Sequence, residues 1–108
     1  MTEPTSETAL MMQIRDALLA TGRVLLWRNN TGRLQDRTGR WVQYGLGLGS
    51  PDLVGILRPA GQLLAVEVKM PGKKPESHQE AWHRAARDAG AIVIVAHSVE
   101  EALRGLPG

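Results

Sequence analysis

The chain has 108 residues, no cysteine, no phenylalanine and a formal net charge of +2 at pH 7. That length suits one compact domain and leaves no room for a core plus a separate regulatory domain; the missing cysteines exclude disulfides and thiolate metal sites. An apolar fraction of 43% predicts a packed globule with an aliphatic core and three tryptophans as its large pieces, while the mild positive charge permits a nucleic-acid partner without requiring one.

The opening MTEPTSET has neither the basic start nor the apolar stretch of an export signal, and no run is long enough to span a bilayer. A cytoplasmic protein is expected, with residues 1–6 as a flexible N-terminus and 7–108 as a single domain. Residues 7–20 have the spacing of an amphipathic helix: Leu10, Met11, Ile14, Ala17 and Leu18 fall on one side, Ser6 or Thr5 caps the start, and Gly22 stops it. Glu7 precedes Leu10 by three residues and Ile14 by seven, so it joins the apolar side at the helix tip.

Val24–Asn30 and Trp41–Tyr44 are expected to be strands forming a hairpin across a polar turn that carries Arg33, Arg37 and Arg40. Either a solvated loop or a phosphate-contacting finger fits that turn. GLGLGS (45–50) lacks the spacing of a nucleotide-binding loop and is a flexible approach to the next strand. PDLVGIL and QLLAVEVK are strands joined by the turn signal RPAG, and MPGKKPE is a basic loop. A helix follows over SHQEAWHRAARDAG, with Ser77 and Glu80 as a capping box; AIVIVAHS is a buried strand and VEEALRGL a closing helix. The order predicts an α/β fold with a sheet covered on at least one face.

Two acids and a lysine interrupt the apolar runs. Glu67 and Lys69 share a face of their strand, opposite Val66 and Val68. A tight turn at RPAG pairs the two strands antiparallel and brings Asp52 close to both. Two readings fit. One is a buried lysine–carboxylate pair, which stabilises poorly because desolvation costs several kcal/mol per ion. The other is a divalent cation that relieves the repulsion between the acids; carboxylate oxygens suit Mg²⁺ or Mn²⁺. On the second long helix, Gln79, Trp82, Ala86 and Ala89 recur on one face, which turns Gln79 towards the sheet. His78 and His83 are expected at the surface, His97 ends a strand, and the three form no spaced metal set.

Pro51-Asp52 followed by Glu67-Val68-Lys69 resembles the PD-(D/E)XK nuclease pattern. The surrounding GSPDLVG, GQLLAVEVK, PGKKPESHQEAW and AGAIVIVAHSVEEAL resemble the VRR-NUC branch in its small stand-alone phage and bacterial form, over residues 7–104. The resemblance implies a restriction-endonuclease-like core, a mixed central sheet flanked by helices in the order αβββαβ. It implies metal-binding acids at Asp52 and Glu67, a backbone ligand at the Val68 carbonyl and a catalytic lysine at Lys69. Gln79 and Trp82 match a QxxW helix motif, and Glu7 resembles the acid of the first helix, with Glu3 as a rival. The name-giving VRR triplet is not present. The function implied is a Mg²⁺- or Mn²⁺-dependent endonuclease of branched DNA such as four-way junctions. Because a junction has approximate two-fold symmetry and needs two cuts, a homodimer is expected, with the hairpin around Trp27 and Trp41 or the Val99, Ala102, Leu103 and Leu106 face as its contact. A catalytically inactive nucleic-acid-binding module and a flap or restriction-type nuclease are the alternatives. Arg28, Asn29, Arg33, Arg37, Arg40, Lys73 and Lys74 flank the site as candidate DNA contacts.

Overall fold

The structure, a computed structural model, describes residues 3–108, so two of the six residues expected to form a flexible N-terminus lie outside the described residues. Helix α1 (Glu7–Ala20) comes first, then strands β1 (Val24–Arg28), β2 (Gly32–Gln35), β3 (Trp41–Tyr44), β4 (Leu53–Leu57) and β5 (Gln62–Val68). Helix α2 (Ser77–Asp88), strand β6 (Ile92–Ala96) and helix α3 (Val99–Arg104) complete it. Four strands form a mixed sheet in the order β1-β4-β5-β6. β1 and β5 run antiparallel to β4, and β6 runs parallel to β5.

Alternation along each strand divides the sheet into two faces. Val24, Leu53, Leu57, Leu64, Val66, Val68, Ile94 and Ala96 point to one side, where they pack with Leu10, Met11, Ile14 and Leu18 of α1 and with Val99, Ala102 and Leu106. This aliphatic layer is the core, and it absorbs the apolar face of the C-terminal helix within the chain. The other face holds Leu25 and Trp27, Val54 and Ile56, Leu63, Ala65 and Glu67. α2 lies on this second face, and its one buried residue is His83.

The N-terminal helix begins and ends as its sequence predicts. Ser6 Oγ accepts the Ala9 N–H at 3.0 Å, and Gly22 leaves the helix at φ +72°. Two local expectations are corrected. The first is the hairpin: β3 pairs with β2, which the sequence presents as polar turn, and β1 pairs with β4. The apolar run of β1 is drawn into the central sheet, where its Val24 and Leu26 meet the core. That leaves Trp41–Tyr44 to find a local partner in Gly32–Gln35. The second is the capping box, which lies one residue earlier than Ser77 and Glu80: Glu76 is the N-cap and Gln79 the reciprocal residue.

Candidate active site

Strand register gathers the charged residues at one end of the sheet. Leu53 lies opposite Val66 in the β4–β5 pair, so Asp52, one step further, comes level with Glu67. β1 ends at the same level, with Arg28 opposite Leu53. Two backbone bonds hold Asp52 in place: its Oδ2 accepts the Val68 N–H at 2.8 Å, and its carbonyl accepts the Asn29 N–H at 2.8 Å. The carboxylate of one strand is thus tied to the main chain of the next, beside the Val68 peptide that the family resemblance assigns as a backbone ligand.

Glu67 is 2% exposed, although it is an acid at the end of a strand. Gln79 Nε2 donates to its Oε2 at 3.4 Å, and His83 Nε2 lies 3.4 Å from its Oε1. Burial, then the charge of Asp52 and a hydrogen bond shared with it, push Glu67 up to about 8; Lys69 pulls the other way and Glu7 adds a smaller push. The cation-free protein therefore keeps a proton on this carboxyl around neutrality.

Helix α2 supplies two further side chains that touch Glu67, and its cap fixes how one of them points. Gln79 Oε1 accepts the Glu76 N–H at 2.8 Å, which leaves the amide nitrogen facing Glu67. His83 was expected at the surface and is instead 2% exposed. It follows Gln79 by four residues, so the two stack on one helix face. Burial first, then the nearby Arg87, lower its pKa, so it enters the site as a neutral imidazole. His83 is the site-lining residue that sequence reasoning missed; its spacing from Gln79 was the available signal. Trp82, the residue before His83, is only half-buried and lies beside Leu63, Ala85, Ala86 and Ala89.

Lys69 follows β5 and is half-buried, its N–H donated to the Ala96 carbonyl at 3.0 Å. Glu7 is exposed in the first turn of α1, near enough to act on Glu67 through its charge. Of the candidate DNA contacts, Arg28, Arg33, Arg37, Arg40, Lys73 and Lys74 are exposed. Arg40 Nε lies 3.7 Å from Asp36 Oδ2. Asn29 has work inside the protein: its Nδ2 donates to Ser50 Oγ at 2.9 Å and to the Pro51 carbonyl at 2.8 Å, and its Oδ1 accepts the Leu46 N–H at 3.3 Å. His97 joins Lys73 to α3, with Nε2 2.8 Å from the Lys73 carbonyl and Nδ1 2.8 Å from Glu101 Oε1.

The arrangement fits a hard divalent cation. Among the described residues, no group of three His, Cys, Asp or Glu side chains could hold a metal. Mg²⁺ and its relatives, however, need only one or two carboxylates when waters and a substrate phosphate complete the shell. Asp52 and Glu67 are two carboxylates of the kind that could serve, level with each other at the strand ends.

Residues 5–100 match the family model described as the VRR-NUC domain. A solved structure described as a VRR-NUC domain superposes with a TM-score of 0.64 at 30% identity, covering 94% of this chain and 94% of that one. No curated protein matches the chain.

The raised Glu67 carboxyl predicts how stability depends on pH without metal. An ordinary glutamate titrates near 4.5 and the folded one near 8. Above pH 4.5 the unfolded chain therefore binds fewer protons than the native one, and stability falls as pH rises towards 8. Glu67→Gln removes that dependence. In EDTA the variant is expected to melt above the parent at pH 8 and close to it at pH 5. Equal melting temperatures at both values would mean that Glu67 ionises without cost.

Proposed function

The chain belongs to the VRR-NUC domain family, a family of nuclease domains, and from that premise we propose that it is a divalent-metal-dependent DNA endonuclease acting on branched DNA such as four-way junctions. The observation that carries this reading is the Asp52–Glu67 pair, level across β4 and β5 with Lys69 two residues on. Two facing acids at a strand end, one of them buried, destabilise a fold and suit a cation-assisted phosphoryl site.

In this reading Asp52, Glu67 and the Val68 carbonyl hold Mg²⁺ or Mn²⁺, with Glu7 contributing through water. The cation supplies charge neutralisation at the scissile phosphate and a more acidic water. Lys69 places its ammonium to orient the attacking water and to offset charge gathering on the phosphate oxygens. Gln79 holds the Glu67 carboxylate in one orientation, since its own amide is locked by the helix cap. His83, neutral and buried, closes the other side of Glu67 to solvent. The water oxygen bonds to phosphorus, the bond to the 3′ oxygen breaks, and that oxygen takes a proton. The products are a 5′-phosphate and a 3′-hydroxyl.

A homodimer suits this substrate, because a four-way junction has approximate two-fold symmetry and needs two cuts. The second sheet face supports it. Leu25, Ile56 and Leu63 lie in one row across β1, β4 and β5 and are 51%, 38% and 38% exposed, with Trp27 beside them at 48%. The row runs on into a hollow of about 510 Å³ lined by Trp82, Ala85, Ala86 and Ala89. An apolar band of this kind is covered in most soluble proteins.

Asp52→Asn and Lys69→Ala are each expected to lower cleavage of a four-way junction in Mg²⁺ by more than about ten-fold, a loss above ~1.4 kcal/mol of transition-state stabilisation. Only Asp52→Asn should also weaken Mn²⁺ binding by calorimetry. Activity retained in both variants would remove these residues from the chemistry, and a wild-type protein that binds junctions without cutting them in any divalent metal would make the chain a binding module.

Replacing Arg33 and Arg37 together by alanine is expected to weaken DNA binding in Ca²⁺ and to flatten its dependence on salt by about one log–log unit per lost phosphate contact. An unchanged slope would leave the turn a solvated loop.

Light scattering at micromolar concentration is expected to give twice the 11.8 kDa chain mass. Ile56→Glu, which places a charge in the middle of the apolar row, should return the monomer. A constant monomer mass in the wild type, with one chain per junction, would overturn the dimer.

A further inference from the structure

The β2–β3 hairpin carries side chains that neither the core nor the carboxylate site uses. Register separates its two sides. Gly32, Leu34, Val42 and Tyr44 face one way; Arg33, Gln35, Trp41 and Gln43 face the other. On the second side Trp41 is 60% exposed, and the Arg33 guanidinium carbon sits 5.0 Å from its ring centroid, reaching diagonally across the two strands. A large indole held in water on a two-stranded ribbon gains little from packing, and the cation–π contact organises it without covering it.

The charges around this ring favour a polyanion. Arg33, Arg37 and Arg40 lie within the hairpin, and its one acid, Asp36, is taken up internally. Asp36 Oδ1 accepts from Thr38 N–H at 2.8 Å, Thr38 Oγ1 at 2.6 Å and Arg40 N–H at 3.0 Å. An exposed aromatic ring beside several arginines is the combination that binds nucleic acid without reading sequence, the ring stacking on a base and the cations meeting phosphates.

Position sets which bases the ring can reach. The hairpin leaves the sheet after Asn29 and returns at Ser50–Pro51, and the Asn29 side chain bonds both Ser50 Oγ and the Pro51 carbonyl next to Asp52. Its root is therefore at the proposed cutting site. Trp41 pairs with Gln35, three residues out from Gly32, which at ~3.4 Å per residue puts it about 10 Å beyond the inner end of the two-stranded ribbon, or about three base steps. Bases inside an intact duplex are stacked on both faces and offer no free face to an indole. At a branch point, gap or single-stranded end they do.

We propose that Trp41, backed by Arg33, is a stacking platform for an unstacked nucleobase, and that this contact distinguishes branched DNA from intact duplex. The proposal rests on the nuclease reading and adds to it the element that selects the substrate.

The test measures affinity in Ca²⁺, without cleavage, for a four-way junction and for a duplex of equal length, with 2-aminopurine at the branch point. Trp41→Ala is expected to weaken junction binding by about ten-fold, within the range seen for one base–aromatic stack, to weaken duplex binding by less than about two-fold, and to abolish quenching of 2-aminopurine. Trp41→Phe, which keeps a flat ring, should retain most of the preference and confirms that the hairpin is intact. Equal losses on both DNAs, or no loss on either, would overturn the proposal. So would a change in molecular mass of Trp41→Ala by light scattering, because the ring would then cover a second copy of the chain. Wild-type protein that binds neither DNA removes the nuclease reading itself, whereas wild-type cleavage with an indifferent Trp41 removes only the platform.

Discussion

Glu67 is buried beside another carboxylate, and much of the molecule is arranged around that strain. Desolvation and like charge both oppose ionisation there. A buried acid of this kind persists only where the scaffold is stiff enough not to relax away from it. The stiffness comes from the opposite side of the same strand. Leu64, Val66 and Val68 alternate with Ala65 and Glu67, and all three are completely buried against α1 and its neighbours. One strand thus carries a tight aliphatic seam on one edge of its pleat and an electrostatic liability on the other. Asp52 cannot retreat either, since its side chain is tied to the Val68 peptide and its main chain to Asn29.

The two sheet faces consequently do different work. The face under α1 and α3 holds nearly all of the buried apolar side chains and is where stability resides. The face under α2 is thinly covered, with one buried helix residue, and that residue is a histidine. α2 is less a packing element than an arm that delivers Gln79 and His83 to Glu67. Its N-terminal cap takes part directly: the amide group that closes the helix also donates to the acid, so a slip at the cap would be felt at the carboxylate.

How much of this was legible in the sequence depended on whether a local pattern decided the structure. The period of two around Glu67 and Lys69, and the turn at RPAG, were enough to bring Asp52 close to Glu67, and the aliphatic spacing of α1 set its limits to the residue. Gln79 was legible because helical spacing turned it inwards. His83 was not, because histidine's polarity suggested the surface while the decisive fact, a buried acid on the neighbouring strand within its reach, is tertiary. β2 was hidden for a similar reason. GRLQ has one apolar residue and no strand signal of its own; it is a strand because β1 was claimed by the central sheet. The capping box moved by one residue because Gln79 had a second partner that favoured its use over Glu80.

The Asn29 staple has a consequence for how such a domain can be modified. β1 and β4 are antiparallel neighbours, so the chain needs no more than a tight turn to pass from one to the other. It takes instead an excursion through residues 30–50, and one carboxamide clasps its start to its finish. The excursion is therefore a cassette: its ends are fixed in relation to each other whatever lies between them, and loop closure makes added length cheap. Inserts of other sizes and chemistries can be carried at the lip of the site while the strands that hold the acids keep their register. The part of the chain that varies and the part that holds the acids are, in this architecture, separately replaceable.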